Sequence, residues 1–222
     1  MSENILPEIN IDHFRKVFNK YTRKAFQLLP ELEKPDILDI GCGSGVPTIE
    51  LARLSNGEII GIDIDKTQLE KLERKIKQEG LSDRMRTQKC SLFEIDFPNE
   101  SFDIIWAEGL AFISFEKRLK EWKRLLRTNG FLVVHDDSKN ISSKLETIPS
   151  CGYRLINHFS LPEDAWWTEY YGPLEIRVKK IQAKYKNDPK ALKVLRKYQK
   201  EIDIVKKNPK SFNSVFYIMQ KL

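Results

Sequence analysis

An apolar run that breaks into closely spaced glycines constrains this chain more than any other feature. Asp36-Ile37-Leu38-Asp39-Ile40 has the makeup of a buried parallel strand, and Gly41-Cys42-Gly43-Ser44-Gly45 follows it directly. Gly41, Gly43 and Gly45 permit positive φ and let a ligand approach where a Cβ would collide. Pro47 suits a first helical turn, and Thr48 to Leu54 carries helix-like apolar spacing. Strand, glycine turn and helix in that order open a nucleotide-binding unit.

The next stretch completes the unit. Gly57 to Asp65 predicts a second apolar strand that ends on an acid, Asp63, about 20 residues after the glycine turn, where a carboxylate meets a ribose. Asp65 reads as the N-cap of a helix from Lys66 to Glu79, whose Leu69, Leu72 and Ile76 share one face and which stops at Gly80.

Glycine spacing alone does not separate a nicotinamide cofactor from S-adenosylmethionine. Leu38-Asp39-Ile40-Gly41-Cys42-Gly43-Ser44-Gly45, however, resembles the first signature of class I S-adenosylmethionine-dependent methyltransferases, and Gly61-Ile62-Asp63-Ile64-Asp65 resembles their second. The resemblance implies an α/β fold: a Rossmann-like, seven-stranded, mostly parallel sheet with helices on both faces, an N-terminal helical lid and a helical insertion before the last strand. It also implies S-adenosyl-L-methionine as cofactor, with S-adenosyl-L-homocysteine as product. Asp39 would orient the methionine end and Asp63 would hold the ribose, with Gly41, Cys42, Gly43, Gly45 and Ile64 around them. In the family an acid after the third strand binds the adenine; here that place falls on Ser91, between Cys90 and Leu92, so the chain departs from the pattern.

Phe102-Asp103-Ile104-Ile105-Trp106 resembles the family's fourth signature, which places Trp106, Ala107 and Glu108 at the reaction centre. Glu108 is a candidate general base or cation holder, or else an ordinary ion-pairing acid. Leu125 to Gly130 looks like the family's post-helix turn, feeding a strand from Phe131 to Asp137. His135 near the end of that strand either accepts a substrate proton or simply bonds a backbone neighbour. Ser214 to Leu222 predicts a seventh strand, which in this fold usually forms an antiparallel edge.

At 222 residues with 41% hydrophobic content the chain fits one domain, 1–222. Within it we expect an N-terminal helical cap over 1–34 and a basic, aromatic helical insertion over 163–210. Tyr21 in the cap is either a lid contact or plain packing. Three scattered cysteines and three histidines suggest neither a disulfide framework nor a metal site. No apolar run has the length of a signal peptide or membrane span, so we expect a cytoplasmic protein without membrane contact, monomeric or homodimeric.

The insertion concentrates Trp166, Trp167, Tyr170 and Tyr171. Its rings can hold a cation by cation–π attraction, with Tyr170 and Tyr171 as further catalytic candidates, or they can pin the following helices, the reading favoured for Trp166. Those helices show Ile176, Lys180 and Ala183 in one and Leu192, Leu195, Tyr198, Ile202 and Val205 in the other. Between Pro173 and Lys210 there are 13 Lys or Arg against four acids, a balance of +9 in a chain of net +6. The lysines fall opposite the apolar stripe and no arginine-aromatic module is visible, so a nucleic-acid partner is disfavoured. The reading that results is methyl transfer to a small-molecule substrate. The alternatives are an RNA or protein acceptor met by the basic helices, or a non-catalytic or nicotinamide-binding use of the fold.

Overall fold

The computed structural model describes residues 5–110 and 112–222; residues 1–4 of the expected cap lie outside them. The chain divides into two units, one of residues 19–160 and 214–222, the other of residues up to 18 and 161–213.

The larger unit is built on a seven-stranded sheet: β1 (Asp36–Ile40), β2 (Glu58–Asp63), β3 (Met85–Lys89), β4 (Phe102–Glu108), β5 (Leu126–Asp137), β6 (Tyr153–Ser160) and β7 (Ser214–Lys221). Their order is β3-β2-β1-β4-β5-β7-β6. The first five are parallel, and β7 runs antiparallel to both β5 and β6. The expectation of β7 as the edge is therefore corrected. Val215 to Met219 are all buried, whereas β6 is largely exposed and carries Arg154, Asn157 and His158. The apolar strand takes the inner place, and the polar one faces water where its open edge attracts no partner.

The unit's helices are α3 (Asn19–Gln27), α4 (Val46–Leu54), α5 (Lys66–Gln78), α6 (Phe115–Lys123) and α7 (Ile141–Ser150). Asp65 caps α5, accepting from the backbone N–H of Thr67 and Gln68, and Leu69, Leu72 and Ile76 are buried as their spacing requires. Strand β5 begins at Leu126 rather than Phe131. The expected turn is a bulge within it: pairing jumps from Phe102–Leu126 to Ile104–Phe131, and Asn129 takes φ +64° to absorb the extra residues.

The smaller unit holds α1 (Ile5–Ile9), α2 (Ile11–Arg15), a π-helical turn over Trp166–Tyr171, α8 (Gly172–Lys184) and α9 (Pro189–Lys207). Its core joins Ile5, Ile9 and Phe14 to Leu174, Val178, Ile181, Leu195, Ile202 and Val205. The expected cap over 1–34 is thus divided: its first part belongs to this unit, and residues from Asn19 onward belong with the sheet. In α8 the apolar face is Leu174, Val178 and Ile181, while Ile176 is 73% exposed. Both sets have i, i+4 and i+7 spacing, but Lys180 interrupts the Ile176–Ala183 set, and the fully apolar stripe takes the core.

Candidate active site

Strand order reverses between β1 and β4, and open α/β sheets bind ligands beyond the carboxyl ends of the strands at that point. Four side chains meet that rule: Asp39 on β1, Asp63 on β2, Glu108 on β4 and His135 on β5.

Asp39 is 2% exposed. Thr48, in the first turn of α4, donates its hydroxyl to Asp39 Oδ2 at 2.6 Å. Burial pushes the Asp39 carboxyl up to about 7, against the Thr48 bond and with the help of the Glu108 and Asp63 charges. A carboxyl so placed is half-ionised near neutrality and gains most from a cation that enters beside it.

The glycine turn is stitched to β2. Gly41 and Cys42 N–H donate to Ile62 O at 2.8 and 3.0 Å, and Gly43 N–H donates to Asp63 Oδ2 at 2.8 Å. The other Asp63 oxygen accepts from Asp65 N–H at 2.8 Å. A carboxylate offers about four acceptor sites, so half-buried Asp63 can still take sugar hydroxyls. Lys75 Nζ donates to Ser44 O at 2.7 Å, closing the turn from α5.

Two of these glycines serve different ends. A Cβ on Gly45 would lie 2.1 Å from Leu72 Cδ1, so that position is reserved for packing of α5. A Cβ on Gly43 would meet nothing within 4 Å, although the backbone holds φ +53°. The space beside Gly43 is open and bordered by Asp63. Cys42 is buried against Gly61, and burial pushes its thiol up, so it packs the turn and carries no reactivity. Ile64 is 65% exposed just past β2.

After β3, Cys90 N–H donates to Asp63 O at 3.0 Å, which places this loop beside Asp63. Ser91 Oγ accepts from Phe93 N–H at 3.3 Å, a local turn, and Cys90 Sγ donates to Ser91 O at 3.3 Å. Leu92 packs against the sheet's core.

Glu108 is held firmly. Its Oε1 accepts from Thr22 Oγ1 at 2.8 Å and from Trp106 Nε1 at 2.9 Å, and His135 Nδ1 lies 3.9 Å from Oε2. His135 Nε2 is 2.8 Å from Ser214 Oγ, and the ring stacks on Phe216 at 4.3 Å. His135 Nε2 meets a serine hydroxyl where a backbone partner was expected, and at 3.9 Å its Nδ1 neighbours Glu108 without hydrogen-bonding to it. Trp106 and Ala107 are fully buried and do not line the crevice. β4 runs on to Glu108, leaving both residues in mid-strand between β1 and β5, and Trp106 donates its indole N–H to Glu108.

Tyr170 and Tyr171 belong to the core of the smaller unit. Tyr171 donates its hydroxyl to Glu201 Oε1 at 2.7 Å, and burial raises both phenols, Tyr170 to about 12. The cation over this aromatic cluster is the chain's own: the Arg15 guanidinium lies 5.5 Å from the Phe18 ring and 5.4 Å from Trp166. Trp166 packs within the aromatic cluster of the smaller unit, against Phe18, Tyr170 and Tyr171.

Thr22, Thr48 and Ser214 were not legible as site residues. Thr48 left a faint signal, a hydroxyl at a buried position of an apolar helix start; Thr22 reaches Glu108 across 86 positions and left none. Among the described residues no group of potential metal ligands occurs, and no helix is long and apolar enough to cross a membrane. A cleft of about 810 Å³ lined by Phe26, Leu29, Leu32, Leu54 and Ile104 lies at the amino ends of the strands, away from these acids.

Residues 37–130 match the family model of a methyltransferase domain. Those residues, with the relatives and folds that follow, support a methyltransferase domain of the class I S-adenosylmethionine-dependent type. The chain is 29% identical over 129 residues to the methyltransferase GfsG of Streptomyces halstedii, covering 57% of this chain and 46% of GfsG. The chain thus spans about half the length of the curated relatives it matches. Its fold is similar to that of the 4+2 cyclase SpnF, with a TM-score of 0.76, 17% identity, and coverage of 91% of this chain and 80% of SpnF. A methyltransferase from Geobacter sulfurreducens in complex with S-adenosyl-L-homocysteine gives 0.75, 14% and 91% of both chains. At these identities the likeness is one of fold.

Proposed function

We propose that this methyltransferase binds S-adenosyl-L-methionine at the carboxyl ends of β1, β2 and β4 and passes its methyl group to a small-molecule acceptor. The observation that carries the reading is Asp39, a buried carboxyl beside the glycine turn with two further acids, Glu108 and Asp63, in its field. Such a field attracts a ligand bearing an ammonium and a sulfonium and repels a pyrophosphate, which sets a nicotinamide dinucleotide aside.

The residues have separate tasks. Asp39 holds the ammonium of the donor, oriented by Thr48. Asp63 accepts the ribose hydroxyls while bracing Gly43, whose missing side chain leaves room for the ligand. The loop of Cys90, Ser91 and Leu92, tied to Asp63 through the Cys90 N–H, borders the adenine end, and exposed Ile64 follows Asp63 in the chain. Glu108, fixed by Thr22 and Trp106, faces the acceptor as proton acceptor or cation holder. The bound donor supplies the activated methyl group and its own leaving group, and the chain supplies alignment and exclusion of water.

A small-molecule acceptor is supported by relatives named for such substrates, among them 27-O-demethylrifamycin SV methyltransferase of Amycolatopsis mediterranei. SpnF, named a cyclase, shares this fold, so the fold by itself does not establish methyl transfer.

Thermal melting with three ligands tests the proposal. S-adenosylmethionine and S-adenosylhomocysteine at ~100 times their dissociation constants are expected to add about 2.7 kcal/mol, with no effect from NAD. A shift with NAD alone overturns it. Release of S-adenosylhomocysteine in the presence of candidate acceptors then separates transfer from binding.

A further inference from the structure

The smaller unit carries a feature that methyl transfer does not use. Lys186, Lys190, Lys193, Lys197, Lys200 and Lys207 follow one another at spacings of four, three, four, three and seven residues, and all are exposed. The 3.5-residue repeat keeps those from Lys190 to Lys207 in a single row along α9, spanning about 26 Å at 1.5 Å per residue, with Lys186 in the turn that precedes the helix. Ile204, at 53% exposure, is the one apolar member of the row.

None of the six forms an ion pair among the described residues. The neighbouring acids are engaged elsewhere: Asp188 caps the helix start, Glu201 accepts from Tyr171, Asp203 accepts from Gln199, and Glu175 pairs with Lys179 and Lys206. Lys190–Lys193, Lys193–Lys197 and Lys197–Lys200 are like-charge neighbours on one helix face, an arrangement that opposes the helix and that a solvated face ordinarily relieves by mixing signs.

We propose that this row is a docking surface for the phosphate backbone of a nucleic acid, contacted without reading of sequence. The absence of an arginine-aromatic module, which counts against base recognition, is no obstacle to phosphate contact, for which the lysine ammonium suffices as a point charge. An anionic membrane fits less well. The apolar side of α9, with Ala191, Leu195, Ile202 and Val205, is sealed in the unit's core and offers nothing to insert. An acidic protein fits less well too, because an interface of that kind centres on an apolar patch that the row lacks. The proposal does not rest on the cofactor reading.

The test is binding of the full chain to a mixed-sequence 24-base-pair duplex, followed by anisotropy from 50 to 200 mM salt. Four phosphate contacts give a slope of log K on log salt near −3.6, a loss of ~100-fold over that range. Lys193→Gln with Lys197→Gln is expected to flatten the slope by about 1.8, while Lys193→Arg with Lys197→Arg leaves it unchanged. Melting curves of the variants confirm that the helix persists. No binding at 50 mM salt, a slope indifferent to the glutamine pair, or tighter binding to vesicles with anionic lipid than to the duplex would each overturn the proposal.

Discussion

Thr48 donates its hydroxyl to Asp39 across 2.6 Å, with both side chains closed to solvent. The pair joins the first turn of α4 to the end of β1, so one hydroxyl aims the acid proposed to hold the cofactor and lowers its proton affinity against the larger effect of burial. Thr48→Val keeps the shape and removes the donor. Asp39 then holds its proton to higher pH, and the acid limb of S-adenosylhomocysteine binding moves upward by a measurable part of a pH unit or more. Thr48→Ser retains the wild-type profile. Affinity measured from pH 6 to 9 distinguishes these outcomes from general loosening, which would lower affinity equally at every pH.

Asp39 also predicts how the unliganded protein responds to pH. Its carboxyl loses a proton near 3.8 when unfolded and near 7 when folded, so the unfolded chain ionises first. Stability therefore falls as pH rises from about 4 to 7 and stays low above that window, a penalty of a few kcal/mol. Asp39→Asn removes the penalty. Denaturant unfolding without ligand is expected to show the variant more stable than wild type at pH 8 and less dependent on pH between 4 and 7.

The two glycines that differ in surroundings should differ in consequence. Gly45→Ala forces a Cβ against Leu72 at φ +78° and is expected to cost the fold several kcal/mol. Gly43→Ala meets no protein atom and carries only the left-handed penalty of about 1–2 kcal/mol. Its larger loss should appear in cofactor affinity, because the new methyl group fills the open space. Unfolding and ligand titration on both variants check the contrast.

Tyr171 separates a structural phenol from a catalytic one. With its hydroxyl donated to Glu201, Tyr171→Phe is expected to lose about 1 kcal/mol of stability. Turnover per folded molecule should be unchanged, and a fall of tenfold or more would return Tyr171 to the reaction centre.

Much of this was legible because it is local. The glycine turn, Asp39, Asp63 and the N-cap Asp65 lie within 27 positions of one another, and helix α5 declares its face by spacing alone. Partnerships across the chain were not legible. Nothing near Ser214 tells that its strand enters the sheet between β5 and β6, or that its hydroxyl meets His135, 79 positions away. The burial of Trp106 and Ala107 in mid-strand follows from pairing of β4 with strands on both sides, which a single stretch does not reveal. In α8 two apolar patterns competed, and only packing against α1 and α9 decided for Val178 over Ile176.

The central claim is that a buried acid at the end of β1 receives the amino-acid end of a sulfonium donor. Calorimetric titration of S-adenosylhomocysteine into wild type and Asp39→Asn at pH 8, where the acid is ionised, tests it most directly. The account predicts saturable one-site binding to wild type and at least tenfold weaker binding to the variant, about 1.4 kcal/mol or more. Equal affinity for the two proteins, or no binding to wild type, would contradict it.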